Sequence, residues 1–181
     1  RVFHWINFST IISLIIFGLI MLFKKELGIT GIDAKVGLKE VHVIIGYVFV
    51  LNLTWRIVWG FIGNKYARWK NIVPHGNFAN VVRQYIVSEK NGNAKQYVGH
   101  NPLGRLAITF IYLLLLTMAV TGLVRAGTDI YYPPFGSLVT EYIAAPNTNP
   151  DNILPYVATG TDKEKAANLK SFKGPFGTIH I

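Results

Sequence analysis

Three stretches of the chain are apolar on every helical face: Trp5–Phe23, Val41–Ile62 and Leu106–Val124. About 20 such residues, rising about 1.5 Å each, cross the hydrocarbon core of a bilayer. A helix resting on a soluble core would carry Lys and Glu along its outer side, and these stretches do not. The pattern therefore predicts three membrane-spanning helices. Gly28, Gly31 and Gly37 break the first connection, and Asn101-Pro102 marks the start of the third helix. Between the second and third spans, Phe78, Val81, Val82, Tyr85 and Ile86 recur at helical spacing, with Arg83 and Lys90 off the stripe. That spacing predicts an amphipathic helix, lying on the membrane surface or capping the bundle. Tyr66 and Trp69 read as an interfacial aromatic belt.

The third connection, 125–175, differs in composition: it holds six of the eight prolines and five of the nine acids. It is expected to be a long extramembrane loop, ordered at Tyr131–Phe135 and with a short helix over Lys163–Lys170. From Phe176 the chain reads as the opening of a fourth span. The expected fold class is an all-α membrane protein, one domain over residues 1–181. Its architecture would be a four-helix transmembrane bundle with the fourth helix truncated in this chain.

Composition narrows the function classes. The chain is 51% hydrophobic and only 15% charged, too apolar for an ordinary soluble domain. It has no cysteine, which excludes disulfides, Cys-ligated iron–sulfur clusters and covalent c-type haem attachment. The net charge of +9 sits in the connections, as membrane proteins place it, and no basic face of a soluble module points to nucleic acid. Residues 63–105 carry seven Lys/Arg against one acid, 24–40 four against three, and 125–175 five against five. The basic density at Lys65–Lys70 favours that side as cytoplasmic. Segments 24–40 and 125–175 would then be periplasmic, in a multi-pass protein of a bacterial inner membrane.

Histidines supply the candidate chemistry. His4 and His42 stand at the heads of the first two apolar stretches, and His180 at the opening of the fourth. Ionisable groups in membrane segments are expensive and usually functional, and a neutral imidazole is an axial ligand for haem iron. Antiparallel neighbours begin on opposite sides, so His4 and His42 lie at opposite depths and would serve two irons. His180 opens on the side of His42, which makes those two a bis-histidine pair. His4 would need a partner further along the fourth span. Positions fourteen apart share a helical face about 21 Å apart. Fourteen after His4 is Gly18, and fourteen after His42 is Arg56. Gly18 and Gly46 would let a flat macrocycle approach the backbone, or would serve close helix packing. Arg56 would pair with propionates or snorkel to the headgroups. His75 and His100 read as interfacial solvated residues, with contact to a propionate or a quinone the alternative for His100, and Arg105 is a further candidate for cofactor binding.

The residues Arg1-Val2-Phe3-His4-Trp5, Val41-His42-Val43-Ile44-Ile45-Gly46-Tyr47, Arg56, Gly63-Asn64-Lys65-Tyr66-Ala67-Arg68-Trp69, Gly99-His100-Asn101-Pro102 and Thr178-Ile179-His180 resemble the bacterial cytochrome b561 / nickel–iron hydrogenase b-type cytochrome family. The resemblance implies a four-helix bundle carrying two haems b, with His4, His42 and His180 matching haem ligands. It also implies electron transfer between quinone or quinol and a partner, a periplasmic cytochrome or a hydrogenase-type redox protein. Two other readings stand beside it. One is the quinone-reactive membrane anchor of a hydrogenase or similar dehydrogenase. The other is a haem-free polytopic transporter fragment whose histidines relay protons.

Overall fold

The computed structural model describes residues 2–93, 96–97 and 99–181. Arg1 of the Arg-x-Phe-His-Trp motif and Lys95 of the basic count lie outside the described residues. The chain is all-α. Helices run over Val2–Leu22 (α1), Ile32–Ile62 (α2), Trp69–Ile72 (α3), Phe78–Lys90 (α4), Pro102–Asp129 (α5), Gly136–Ile143 (α6) and Lys163–His180 (α7). Among the described residues, α1, α2 and α5 are long and apolar enough to cross a membrane. On α1 the outward residues Phe8, Ile12, Ile15 and Leu19 are each 43–52% exposed. An apolar stripe of that kind is suited to lipid, not to water.

Helix ends differ from the apolar limits for physical reasons. The second apolar stretch begins at Val41, yet α2 begins at Ile32. Residues 32–40 contain no proline and place Asp33 in the first turn, where a carboxylate complements the helix dipole. His42 is therefore well inside α2, not at its mouth, and the first connection is shorter than 24–40. Its turn closes at Gly28, whose φ of +72° suits a residue without Cβ. At α5, Pro102 takes the first helical position and Asn101 Oδ1 accepts from Gly104 N at 2.7 Å. The amphipathic pattern after the second span does form a helix, α4.

Segment 125–175 is more ordered than a loop. Helix α5 continues to Asp129, and α6 follows a turn in which Tyr131 takes φ +59°. Ala144 and Thr161 form an isolated antiparallel bridge, reinforced by Asp162 N donating to Ile143 O at 2.8 Å. Ile130, Ile143 and Ile153 are buried and give this segment its own small core. The segments expected to be a short helix at Lys163–Lys170 and the opening of a fourth span from Phe176 lie in one helix, α7, which is not among the helices apolar enough to cross a membrane. Asp162 caps it, accepting from Glu164 N and Lys165 N.

The chain separates into two compact units, Arg1–Asn52 with Thr117–Ile181, and Leu53–Leu116. In the first, α1 is tied to α2 by Asn52, whose amide donates to Asn7 Oδ1 at 2.6 Å and to Phe3 O at 3.1 Å. Such bridges hold membrane helices together where apolar contact gives no advantage over lipid. In the second, Asn101 donates to the Tyr85 hydroxyl at 3.0 Å, joining the start of α5 to α4.

Candidate functional site

In the first unit, α2 and α7 bring the rings of His42 and His180 to 6.1 Å between centroids, at 80° to each other. Helix α5 sets the second of them. The Thr121 hydroxyl gives its proton to Thr117 O at 2.8 Å. Its oxygen therefore accepts from His180 Nδ1–H at 2.9 Å, which leaves Nε2 as the bare nitrogen. His42 Nδ1 is buried with no hydrogen-bond partner. Glycines frame the pair. A Cβ on Gly122 would stand 3.0 Å from His180 Cε1, and one on Gly18 would stand 3.9 Å from His42 Cε1.

These residues fit a haem. Imidazole–metal bonds of about 2 Å on each side of one ion put ring centres about 6 Å apart. An orphaned buried imidazole nitrogen also marks a site that a ligand would complete.

A charged cluster adjoins the pair. Asp129 Oδ2 accepts from Lys39 at 2.6 Å and from Arg125 at 2.6 Å, and its Oδ1 accepts from Lys173 at 2.9 Å. Lys173 also donates to Thr128 O at 3.3 Å. The turn after α5 folds back on α2: Tyr47 donates to Pro133 O at 2.5 Å and Tyr132 to Glu40 Oε1 at 3.1 Å. Burial, with the Glu40 carboxylate, pushes the Tyr132 phenol above its ordinary pKa.

The other predicted residues are placed as follows. His4 is exposed near the start of α1, its ring 6.0 Å from that of Trp5. A Cβ on Gly46 would meet nothing within 4 Å. In the second unit, the Arg56 guanidinium lies 5.3 Å from the Trp69 ring centre and 5.5 Å from that of Tyr112. Its Nη1 is buried without a hydrogen bond. Trp69 does more than line an interface: it turns back on α2, its Nε1 donating to Ile57 O at 3.0 Å over the bare backbone of Gly60. Arg105 donates to Val73 O at 2.5 Å and meets His75 Nδ1 at 3.0 Å, clasping the connection between α3 and α4. His100 is exposed.

Thr121, Gly122 and the Asp129 cluster were not singled out by sequence. Gly122 had a signal, a glycine inside an apolar stretch. The cluster had one in part: Arg125 and Asp129 are an i,i+4 pair on α5, but Lys39 and Lys173 come from two other helices.

A family model described as prokaryotic cytochrome b561 matches residues 1–180. Among curated relatives, each named "Probable Ni/Fe-hydrogenase B-type cytochrome subunit", the chain is 38% identical to the one from Azotobacter vinelandii over 88 residues, 45% of this chain and 36% of the relative. It is 32% identical to that of Rhodobacter capsulatus over 133 residues, 67% of this chain and 50% of the relative. It is 31% identical to that of Rhizobium leguminosarum bv. viciae over 151 residues, 75% of this chain and 62% of the relative. The chain thus spans about half the length of the curated relatives it matches. No solved structure matches it. With helices suited to a membrane and a match over 1–180, the chain belongs to the prokaryotic cytochrome b561 family, whose cofactor is haem b.

Proposed function

We propose that His42 and His180 hold a haem b as its two axial ligands, and that the chain passes electrons between a quinone pool and a hydrogenase-type redox partner. The observation that carries the reading is the pair of rings 6.1 Å apart, one with its tautomer fixed by Thr121 and the other with an orphaned nitrogen. When bound, haem supplies one-electron redox chemistry at its iron. The chain's own residues do the rest. Thr121 presents Nε2 of His180 as the ligating nitrogen. Gly18 and Gly122 keep side chains off the two rings, and the surrounding apolar helices exclude water.

The hydrogenase partner rests on what the relatives are named. Membership in a b-type cytochrome family leaves the haem-free transporter reading without support. A second haem, with His4 as one of its ligands, needs a second ligand. The distribution of basic residues supports a bacterial inner membrane, with 63–105 cytoplasmic and the segment around α6 periplasmic.

A reduced-minus-oxidised optical spectrum of the purified protein tests the reading. A low-spin b-type spectrum is expected, with haem that acid–acetone extracts because no cysteine anchors it. Reduction by a quinol analogue is expected as well. A chain purified without any haem signal, or with a high-spin haem, would overturn the bis-histidine assignment.

A further inference from the structure

We propose that Lys39, Arg125 and Lys173, gathered around Asp129, form an anion site that holds the propionate carboxylates of the haem bound by His42 and His180. The inference rests on that ligand assignment and deepens it.

Charge is the first argument. Three cations surround one carboxylate, and among the described residues all their ion pairs run to Asp129. Lys39, Arg125, Lys173 and Asp129 together carry a net +2, and the neighbouring Glu40 carboxylate, which accepts from Tyr132, brings the local sum to +1. The Asp129 side chain is 8% exposed. An excess of positive charge at the end of membrane helices is costly and calls for an anion. Haem propionates are carboxylates of that kind.

Position is the second argument. Lys39 precedes His42 by three residues on α2, and Lys173 precedes His180 by seven on α7. At helical rise these offsets are about 4.5 and 10.5 Å, both toward the helix N-terminus. Arg125 follows Thr121 by one turn on α5, and Thr121 is bonded to His180. The Arg125 Nη1 stands over Gly177, three residues before His180, where any Cβ would collide with it. All three cations are thus displaced to one end of the histidine pair. Donors also remain: Asp129 engages only Nη2 of Arg125 and one proton of Lys39, and Lys173, shared between Asp129 and Thr128 O, keeps a third proton. Fork-shaped guanidinium donors and ammonium groups are the usual partners of carboxylates.

Reconstitution of the detergent-purified, haem-stripped chain with protohaem and with its dimethyl ester tests this. Both should give the same bis-histidine spectrum. Protohaem should bind about tenfold more tightly or better, as expected for charge-assisted bonds lost on esterification. In Arg125→Gln/Lys173→Gln that preference should fall toward unity. The haem midpoint potential should also drop, because cations favour the reduced, less positive haem. Equal affinity of ester and free acid for the unaltered chain overturns the propionate site while leaving the ligands standing. In that case, loss of anionic-lipid binding by the variant would assign the cluster to a lipid phosphate. Failure of the unaltered chain to bind either haem overturns the ligand assignment itself.

Discussion

His42 and Arg56 are fourteen residues apart on α2, and each buries one nitrogen that lacks a hydrogen bond. Their surroundings are built on opposite plans. His42 faces another imidazole, with glycines on α1 and α5 keeping side chains away from the two rings. Arg56 is covered by the rings of Trp69 and Tyr112, themselves 5.0 Å apart, and a glycine there lets an indole close in. Gly122 preserves space, while Gly60 gives space to Trp69. The first arrangement is open to a flat ligand. The second satisfies a cation with aromatic faces, at a cost low enough for a membrane segment. The difference lies in the neighbours, not in the polar group.

Removing a ligand should separate the two regions most sharply. His42→Ala and His180→Ala are each expected to abolish the low-spin b-type signal of this pair, with the protein still inserted and monodisperse. His4→Ala should leave that signal intact, since the neighbour of His4 is Trp5. Difference spectra normalised to protein decide. Survival of the full signal in His42→Ala would break the assignment.

The glycines give the next largest effects, in opposite readouts. Gly122→Val forces atoms against His180, so haem content should fall severalfold while the apoprotein stays folded. Gly60→Val drives Trp69 from α2 and should destabilise the second unit by about 1–3 kcal/mol, typical of overpacking, with haem content kept. Thermal unfolding in detergent beside haem quantification checks both. Haem loss from Gly60→Val equal to that from Gly122→Val would erase the contrast.

Why the sequence made one region more legible than the other follows from distance along the chain. Helix identity came from runs of about 20 apolar residues, a local property, so α1, α2 and α5 were visible. Their ends were not, because apolarity marks where lipid would begin while the backbone ladder continues through Ile32–Glu40 and on to Asp129. The juxtaposition of His42 and His180 could be anticipated from the alternation of span directions. The Asp129 cluster could not, since Lys39 and Asp129 are 90 residues apart and nothing local links them. Trp69 was legible only in part: an aromatic residue beside basic ones reads as an interfacial belt, and its packing over Gly60 depends on the backbone turn after α2. Segment 125–175 read as loop because proline and acid dominate it, yet three isoleucines suffice for a small core.

Arg56→Gln sharpens the comparison at smaller scale. Loss of the two aromatic contacts should cost about 1–2 kcal/mol, since the site is partly desolvated. The unfolding temperature should fall, and the spectrum and midpoint potential of the His42–His180 haem should stay as they were. A redox titration in nanodiscs resolves these outcomes. A shift confined to the His42–His180 haem would contradict the separation of the two regions.

The smallest effect is expected at the cap of α5. Asn101 Oδ1 satisfies the Gly104 amide at 2.7 Å, and the Asn101 amide nitrogen donates to Tyr85. Asn101→Ala removes both, and a lost N-cap typically costs about 1 kcal/mol. The substitution acts on the first turn of α5, in the unit that holds Arg56 and not the histidine pair. Amide exchange should therefore quicken at Leu103–Arg105 and in α4, where Tyr85 loses the Asn101 donor, while amides around Thr121 keep their protection. Asn101→Asp separates the two contacts: it retains the cap acceptor and loses the donor to Tyr85, so α5 should recover its protection and α4 should not. Equal loosening at Thr121 in the alanine variant would mean that α5 responds as one cooperative rod, and the boundary between the two regions would have to be given up.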